Sequence, residues 1–237
     1  MDTIKLKIKN CKTKIIAHRG FACCNLENTL DAFKFANNSQ AYGVECDIQP
    51  SLDRKLFVFH DASFKRLTNR NGILRLMLSS GVKNFKLINN KKQYNIPTFI
   101  EYLKTVKDKI KVIELKGWFD TLLLKQVIKQ VNTFSNIKNC VFISFNLSNL
   151  IRLKKLDNNI KAQFLTETFN NDVLNNLINY KLDLNISLQE ITEQIVKICH
   201  KNKIKVNVWT VDDKEKLLQL LDYGVDFITT NKFEIIS

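Results

Sequence analysis

Short runs of apolar and β-branched residues recur along the chain, and segments with helical periodicity lie between most of them. Alternation of strands and helices without an intervening linker predicts a parallel sheet, with residues 1–237 in one domain. The predicted strands are 14–17, 44–48, 56–59, 111–115, 140–144, 162–165, 182–186, 205–209 and 226–229.

The second and third predicted strands are too close in sequence for a crossover helix, which needs about a dozen residues. We therefore expect an antiparallel β-hairpin near residues 47–60 that turns at Asp53 and Arg54; a two-residue turn would place Asp47 opposite His60. Counting the hairpin as one unit predicts an α/β (β/α)8 TIM barrel with a small insertion at residues 61–97 after the second strand. A doubly wound open sheet is the alternative, but the chain lacks its Gly-rich phosphate loops.

Composition and charge narrow the class of protein. The chain is 45% apolar and 25% charged, which is typical of a globular protein. Its 37 Lys and Arg residues against 23 Asp and Glu residues give a net charge of +14, which favours anionic partners. The excess is mostly Lys in short clusters without interleaved aromatic residues, so we expect no nucleic-acid partner. Weak association with an anionic membrane surface stays open.

The sequence also predicts the cellular location of the protein. No apolar run reaches the roughly 18 residues of a membrane-spanning helix, and the N-terminus lacks the apolar stretch of a signal peptide. The six cysteines have no CxxC pair and no disulfide-scaffold spacing, which is typical of reduced intracellular thiols. We therefore expect a cytoplasmic protein.

Carboxylates on two predicted strands are the first candidate chemistry. Residues two apart in a strand share a face, so Glu45 and Asp47 project to the same side, as do Glu114 and Lys116. Glu45, Asp47 and Glu114 would together form a hard oxygen site for Mg²⁺ or Ca²⁺. A network of salt bridges inside the barrel is the alternative interpretation.

Two of the three histidines directly follow apolar strands. His18 and His60 would therefore lie at the carboxyl ends of barrel strands, where this fold carries catalysis, and two imidazoles can serve as an acid and a base. Arg19 follows His18 and can grip a phosphate. His200 lies in a Lys-rich helical segment and is expected at the surface. We expect Asn28 to be a helix N-cap rather than a catalytic residue.

Short segments that carry most of these residues occur in a fixed order along the chain. They are His18-Arg19-Gly20, Glu27-Asn28-Thr29, Ala32-Phe33, Gly43-Val44-Glu45-Cys46-Asp47, Val58-Phe59-His60-Asp61, Arg66-Leu67-Thr68, Ile96-Pro97-Thr98, Glu114-Leu115-Lys116, Ser144-Phe145, Val208-Trp209-Thr210-Val211 and Gly224-Val225-Asp226. Together they resemble the glycerophosphodiester phosphodiesterases, a family of metal-dependent (β/α)8 barrels. The sequence departs from the usual pattern of this family at Leu26, at Ser51 and Arg54, and in the 226–231 segment.

The resemblance implies an enzyme that hydrolyses glycerophosphodiesters, such as glycerophosphocholine or glycerophosphoethanolamine, to sn-glycerol 3-phosphate and an alcohol. It also implies a role for each candidate residue. The catalytic acid/base pair is His18 and His60; the ligands of one divalent cation, Mg²⁺ or Ca²⁺, are Glu45, Asp47 and Glu114; the phosphate contacts are Arg19 and Lys116; and Trp209 belongs to the substrate pocket.

Two other functions fit the same scaffold. A phospholipase-type phosphodiesterase that acts on membrane lipid head groups would need exposed apolar loops at the barrel mouth, and the Leu-rich segment at 74–78 is the candidate. A non-catalytic sensor of glycerophosphodiesters is the other alternative, although the intact histidine pair and carboxylates argue against it.

Overall fold

Eight parallel strands close into a barrel, because the first strand pairs with the last as well as with the second. The computed structural model describes residues 11–89, 92–232 and 234. The barrel strands are β1 (Lys14–Ala17), β2 (Gly43–Pro50), β6 (Ile110–Leu115), β7 (Cys140–Ser144), β8 (Ala162–Thr166), β9 (Asp183–Ser187), β10 (Val206–Trp209) and β11 (Phe227–Thr230).

Helices connect the parallel strands, as the crossover geometry of such a sheet requires. Most of the longer ones begin after a Thr, Asp or Asn whose side chain accepts a hydrogen bond from the first helical turn, which satisfies an otherwise unpaired N–H group. These connecting helices are α1 (Leu30–Asn37), α4 (Phe99–Thr105), α5 (Thr121–Phe134), α6 (Leu147–Leu156), α7 (Asn171–Tyr180), α8 (Glu193–Lys201) and α9 (Lys214–Tyr223).

Successive side chains along each strand point to opposite faces, which separates the apolar layers from the polar site. In β2, Val44, Cys46 and Ile48 pack in the main core between strands and helices. The intervening Glu45 and Asp47 therefore point into the barrel, where they are also buried. A smaller apolar layer inside the barrel, which is built on Ile16, Val112, Ile143 and Leu165, provides part of the pocket wall.

The predicted hairpin forms, but its turn is longer than two residues. Strand β3 (Leu56–Val58) pairs antiparallel with β2, and Pro50 lies opposite Leu56. Five residues therefore form the loop, and the Phe59 amide donates to the carbonyl of Asp47, so the expected pairing of Asp47 with His60 is wrong by one residue. Arg54 has a φ of 64° in this loop, a conformation that glycine adopts more easily.

The insertion at residues 61–97 has a small core of its own. Aromatic and aliphatic side chains of the insertion pack together with Phe57 and Phe59 of the hairpin. The insertion agrees with the sequence-based expectation, whereas the two-stranded sheet within it was not expected. Its elements are α2 (Lys65–Thr68), α3 (Ser79–Val82), β4 (Lys86–Asn89) and β5 (Lys92–Asn95).

Candidate active site

The carboxyl ends of the barrel strands surround a pocket that brings the predicted site residues together. Seven of the eight predicted residues line it: His18, Arg19, Glu45, His60, Glu114, Lys116 and Trp209. The eighth, Asp47, is fully buried beside them, with one carboxylate oxygen 3.3 Å from Arg19 Nε and the other 3.8 Å from Lys116 Nζ.

Three carboxylates converge at the base of the pocket. Strand register places Asp47 beside Glu114, and one oxygen each of Glu45, Asp47 and Glu114 lies within 4.8 Å of the others. Burial, followed by the charges of Asp47 and Glu114, raises the pKa of Glu45 well above its usual value. Burial and then Asp47 raise the pKa of Glu114 to about 7. The protein therefore holds these groups together at an electrostatic cost.

Two cations offset part of that negative charge. Lys116 Nζ lies 2.8 Å from a Glu114 oxygen, and the Arg19 guanidinium lies 3.3 Å from an Asp47 oxygen. The backbone N–H of Arg19 also donates to Glu45 at 2.9 Å. Burial alone would raise the pKa of Asp47, but Arg19, His60 and Lys116 outweigh it and hold that pKa below its usual value.

The carboxylate cluster fits a hard divalent cation. Glu45 Oε1 and Asp47 Oδ1 are buried without a hydrogen-bond partner among the described residues. Buried carboxylate oxygens in this state are costly unless they coordinate a metal or take up a proton. Their all-oxygen chemistry suits Mg²⁺ or Ca²⁺.

Asn28 holds Asp47 in place rather than capping a helix. Its Nδ2 donates to Asp47 Oδ2 at 2.8 Å, and the side chain is almost fully buried. The N-cap of α1 is Thr29, whose hydroxyl accepts from the Ala32 N–H. The expectation that Asn28 is the N-cap is therefore wrong, because Thr29 caps the helix and the Asn28 side chain bonds to Asp47 inside the barrel.

His18 is oriented by residues from the opposite end of the sequence. Its Nδ1 lies 2.7 Å from Asn231 Oδ1, and Asn231 Nδ2 donates to Asp212 at 2.7 Å. An amide oxygen can only accept, so Nδ1 carries the ring proton and Nε2 presents a lone pair on the side of Glu45, whose carboxylate is 3.9 Å away. Burial, helped by Arg19, lowers the pKa of His18 to about 4.

His60 has a carboxylate partner instead. Its Nδ1 lies 2.8 Å from Asp61 Oδ1. Arg66, which lies in α2 of the insertion, grips Asp61 through Nε at 2.6 Å and Glu27 through Nη2 at 2.7 Å. Glu27 in turn accepts from Arg19 Nη1 at 2.8 Å. Arg66 thus links Asp61, the partner of His60, to Glu27, the partner of Arg19.

Two aromatic side chains, Phe145 and Trp209, form part of the pocket wall. The rings of Phe145 and Trp209 meet edge to face, with centroids 5.5 Å apart. Trp209 Nε1 donates to the Asn185 carbonyl at 3.3 Å, which fixes the indole, and Asn185 also lines the pocket. Trp209 therefore shares the pocket with both histidines.

Comparisons with known proteins show the family of this chain. The sequence pattern of the glycerophosphoryl diester phosphodiesterase family matches residues 18–235. This chain belongs to that family. The predicted family and enzyme class are thereby confirmed.

A glycerophosphodiester phosphodiesterase of Caldanaerobacter subterraneus is 28% identical over 237 residues, which cover 95% of this chain and 96% of the relative. A phosphodiesterase of Oleispira antarctica, solved with its product sn-glycerol-3-phosphate, superposes with a TM-score of 0.88 at 22% identity and covers 97% of each chain. A glycerophosphodiester phosphodiesterase of Parabacteroides distasonis gives a TM-score of 0.82 at 25% identity and covers 93% of each chain. The predicted barrel is confirmed.

Other predicted features lie away from the pocket. His200 is partly exposed and bonds to Asp226 at 2.9 Å, which agrees with a surface role. The cysteines among the described residues form no disulfide, and the Sγ atoms of the neighbouring Cys23 and Cys24 lie 3.1 Å apart at hydrogen-bond distance. No helix in the described part of the chain has both the length and the apolar composition needed to cross a bilayer.

Proposed function

We propose that this chain hydrolyses glycerophosphodiesters to sn-glycerol 3-phosphate and an alcohol, with one divalent cation, Mg²⁺ or Ca²⁺. The observation that carries the proposal is the pair of differently partnered histidines, His18 and His60, that share a pocket with three buried carboxylates. Net hydrolysis breaks one phosphorus–oxygen bond; the elements of water supply the hydroxyl on phosphorus and the proton on the alcohol.

The two histidines take different parts in this proposal. His18 is neutral at physiological pH, since its pKa is lowered to about 4, and its free Nε2 takes the proton of the attacking oxygen. His60, whose Nδ1 is held by Asp61, gives a proton from Nε2 to the departing alkoxide. The attacking oxygen belongs to water or to the adjacent glycerol hydroxyl, and both routes use the same pair.

The remaining residues bind and orient. Glu45, Asp47 and Glu114 would hold the cation, whose chemistry when bound is to draw charge from a phosphate oxygen. Arg19 and Lys116 face the same space and would contact the phosphate. Trp209 would pack against the substrate alcohol. The partner is thus a small molecule, and we expect no nucleic-acid partner and a cytoplasmic location.

The test is release of glycerol 3-phosphate from glycerophosphocholine and glycerophosphoethanolamine, with Mg²⁺, with Ca²⁺ and with a chelator. His18→Ala and His60→Ala should each lower the rate by roughly 10²- to 10⁴-fold, the usual range for a positioned acid or base. His200→Ala is the matched control and should leave the rate unchanged, since the His200 side chain bonds to Asp226 at the surface, outside the pocket.

Three results would contradict the proposal. They are equal rates with and without chelator, His18→Ala activity within a few-fold of the unmodified protein, and no release from folded protein with any cation. The last result, combined with tight binding of glycerophosphocholine, would favour the non-catalytic sensor.

A further inference from the structure

The most exposed apolar side chains in the described part of the chain come from three neighbouring segments. Every large apolar side chain there that is more than half exposed lies on one of three loops at the barrel mouth: residues 51–55 at the hairpin tip, residues 74–79 of the insertion, and residues 116–122, which run from the end of β6 into the first turn of α5. Their exposed fractions run from 54% to 68%. We call these five residues the apolar rim: Leu52, Leu76, Leu78, Trp118 and Leu122.

The three loops form one surface, because hydrogen bonds join them. The Leu52 N–H donates to the Met77 carbonyl at 2.8 Å, which joins the hairpin tip to the insertion. Arg75 of the insertion donates to the carbonyl of Trp118 at 3.2 Å and to that of Lys116. Leu74, which precedes Arg75, is buried in the insertion core, so Leu76 and Leu78 face outward from an anchored segment.

This surface borders the opening of the candidate active site. Lys116, which lines the pocket, lies only two residues before Trp118. The loop after β2 and the loop after β6 both extend beyond the carboxyl ends of their strands, where the pocket opens. A partner bound to the apolar rim would therefore meet the pocket as well.

The charge of the three loops indicates the partner. Asp53 accepts a hydrogen bond from Ser79, the ion pair of Asp120 with Arg54 neutralises both side chains, and Lys116 pairs with Glu114 of the pocket. Basic residues outnumber acidic residues on these loops, and the chain as a whole carries a net charge of +14. An apolar patch with cationic surroundings binds membrane surfaces that contain anionic lipids. The basic residues of these loops are Arg54, Lys55, Arg75 and Lys116.

We propose that the apolar rim docks on an anionic lipid bilayer and turns the pocket toward the lipid head groups. The inference rests on the proposed function for its consequence: the enzyme then has access to glycerophosphodiesters that an acyl chain holds in the membrane. Burial of the rim in the interfacial layer provides affinity, and the surrounding cations provide the preference for anionic lipid.

The experiment is co-sedimentation of the full chain with vesicles of phosphatidylcholine alone and of phosphatidylcholine mixed with phosphatidylglycerol. Leu76→Ser, Leu78→Ser and Trp118→Ser combined should weaken binding to the anionic vesicles by more than about tenfold, given the apolar area removed. The matched control is Ile178→Ser with Tyr180→Ser, which removes exposed apolar side chains of α7 and should leave binding unchanged.

Three outcomes would overturn the proposal. The unmodified chain binds neither kind of vesicle, the rim variant binds as well as the unmodified chain, or the chain is a dimer that the rim variant converts to a monomer. In the last case the rim is the interface with a second copy of the chain.

A parallel assay on water-soluble glycerophosphocholine separates this proposal from the proposed function. The rim variant should keep the full rate on that substrate, since its three residues lie outside the catalytic machinery, and should lose rate only on vesicle-borne lysophospholipid. Normal vesicle binding by an unmodified chain that hydrolyses neither substrate would leave docking supported and the proposed function contradicted.

Discussion

Nδ1 of His18 and Oδ1 of Asn231 lie 2.7 Å apart, although the two residues are 213 positions apart in sequence. The amide gives His18 a fixed tautomer without adding a charge, while His60 has the Asp61 carboxylate in the corresponding position. One histidine can act as the base and the other as the acid only if their surroundings differ, and the two rings have different partners.

Asn231→Ala should lower kcat by roughly tenfold or more with little change in KM, because the His18 ring loses the acceptor that fixes its tautomer. Asn231→Asp should shift the acidic limb of the pH–rate profile upward, since a carboxylate beside Nδ1 stabilises the protonated ring. Asn202→Ala is the control, because the Asn202 side-chain amide donates to the Ile198 carbonyl at the end of α8, outside the pocket. A kcat within twofold for Asn231→Ala would refute this role.

Arg66→Met should reduce kcat by about tenfold while the free energy of unfolding changes little, because the Arg66 ion pairs are half exposed. Arg70→Met is matched to it: Arg70 lies in the same insertion, is also exposed, and stacks on Phe85. Arg66 acts here through Asp61 and Glu27 as a positioning residue.

A double-mutant cycle checks that interpretation. If Arg66 works by holding Asp61, the combined loss in Arg66→Met with Asp61→Asn should be smaller than the product of the single losses. Independent, multiplicative losses would show that Arg66 does not act through Asp61.

In metal-free protein, Glu114 should make stability depend on pH. Its pKa is raised from 4.5 to about 7, so between those values the folded state binds more protons than the unfolded state. The contribution of Glu114 to the free energy of unfolding therefore falls as pH rises through that window. Urea unfolding in chelator, compared between the protein and Glu114→Gln, isolates this contribution from that of His18, whose lowered pKa acts in the opposite direction.

As pH rises from 4.5 to about 7, the free energy of unfolding of Glu114→Gln should increase relative to that of the unmodified protein. Glu215→Gln, a change on the exposed face of α9, should show no such trend. Addition of Mg²⁺ or Ca²⁺ should stabilise the unmodified protein more at the upper end of the window, because coordination needs the ionised carboxylates. A difference that is flat across the window would contradict the assignment.

Gly20→Ala should destabilise the protein by about 1–3 kcal/mol and disturb the site, because Gly20 has a φ of 82° and an added Cβ would lie 2.7 Å from the backbone of Ala32. In Gly81→Ala the added Cβ meets only the flexible end of Met77 at 3.2 Å, so stability should stay within about 0.5 kcal/mol. Thermal or urea unfolding of both variants provides the comparison. Equal stability of the two variants would contradict the strain argument.

The barrel could be predicted because its strands are short, apolar and bounded by helices. The segments at Lys14–Ala17 and Cys140–Ser144 form strands with the predicted bounds, since burial on both faces demands continuous apolar runs. The hairpin register could not be predicted, because it depends on how Ser51 and Asp53 hold the loop through hydrogen bonds.

The predicted site residues lie in strands or just after them, where an apolar run marks their position in the sequence. Most of the residues that hold them in place carry no such mark. The prediction for Asn28 is wrong because its bond to Asp47 exists only in the folded chain. Asn231 comes from the opposite end of the sequence from His18, and Arg66, although it is close to His60 in sequence, acts through ion pairs that only the folded insertion brings together. One signal was available for Asn231: it directly follows a barrel strand, where side chains reach the mouth of this fold.

The pairing of β1 with β11 also has a consequence for how the protein is made. Translation at 5–20 residues per second leaves roughly ten to forty seconds between synthesis of His18 and synthesis of Asn231. Throughout that interval the first histidine lacks its partner and the barrel has no closing strand. A growing chain on the ribosome therefore has no working site, and activity begins only after the final strand has joined the first.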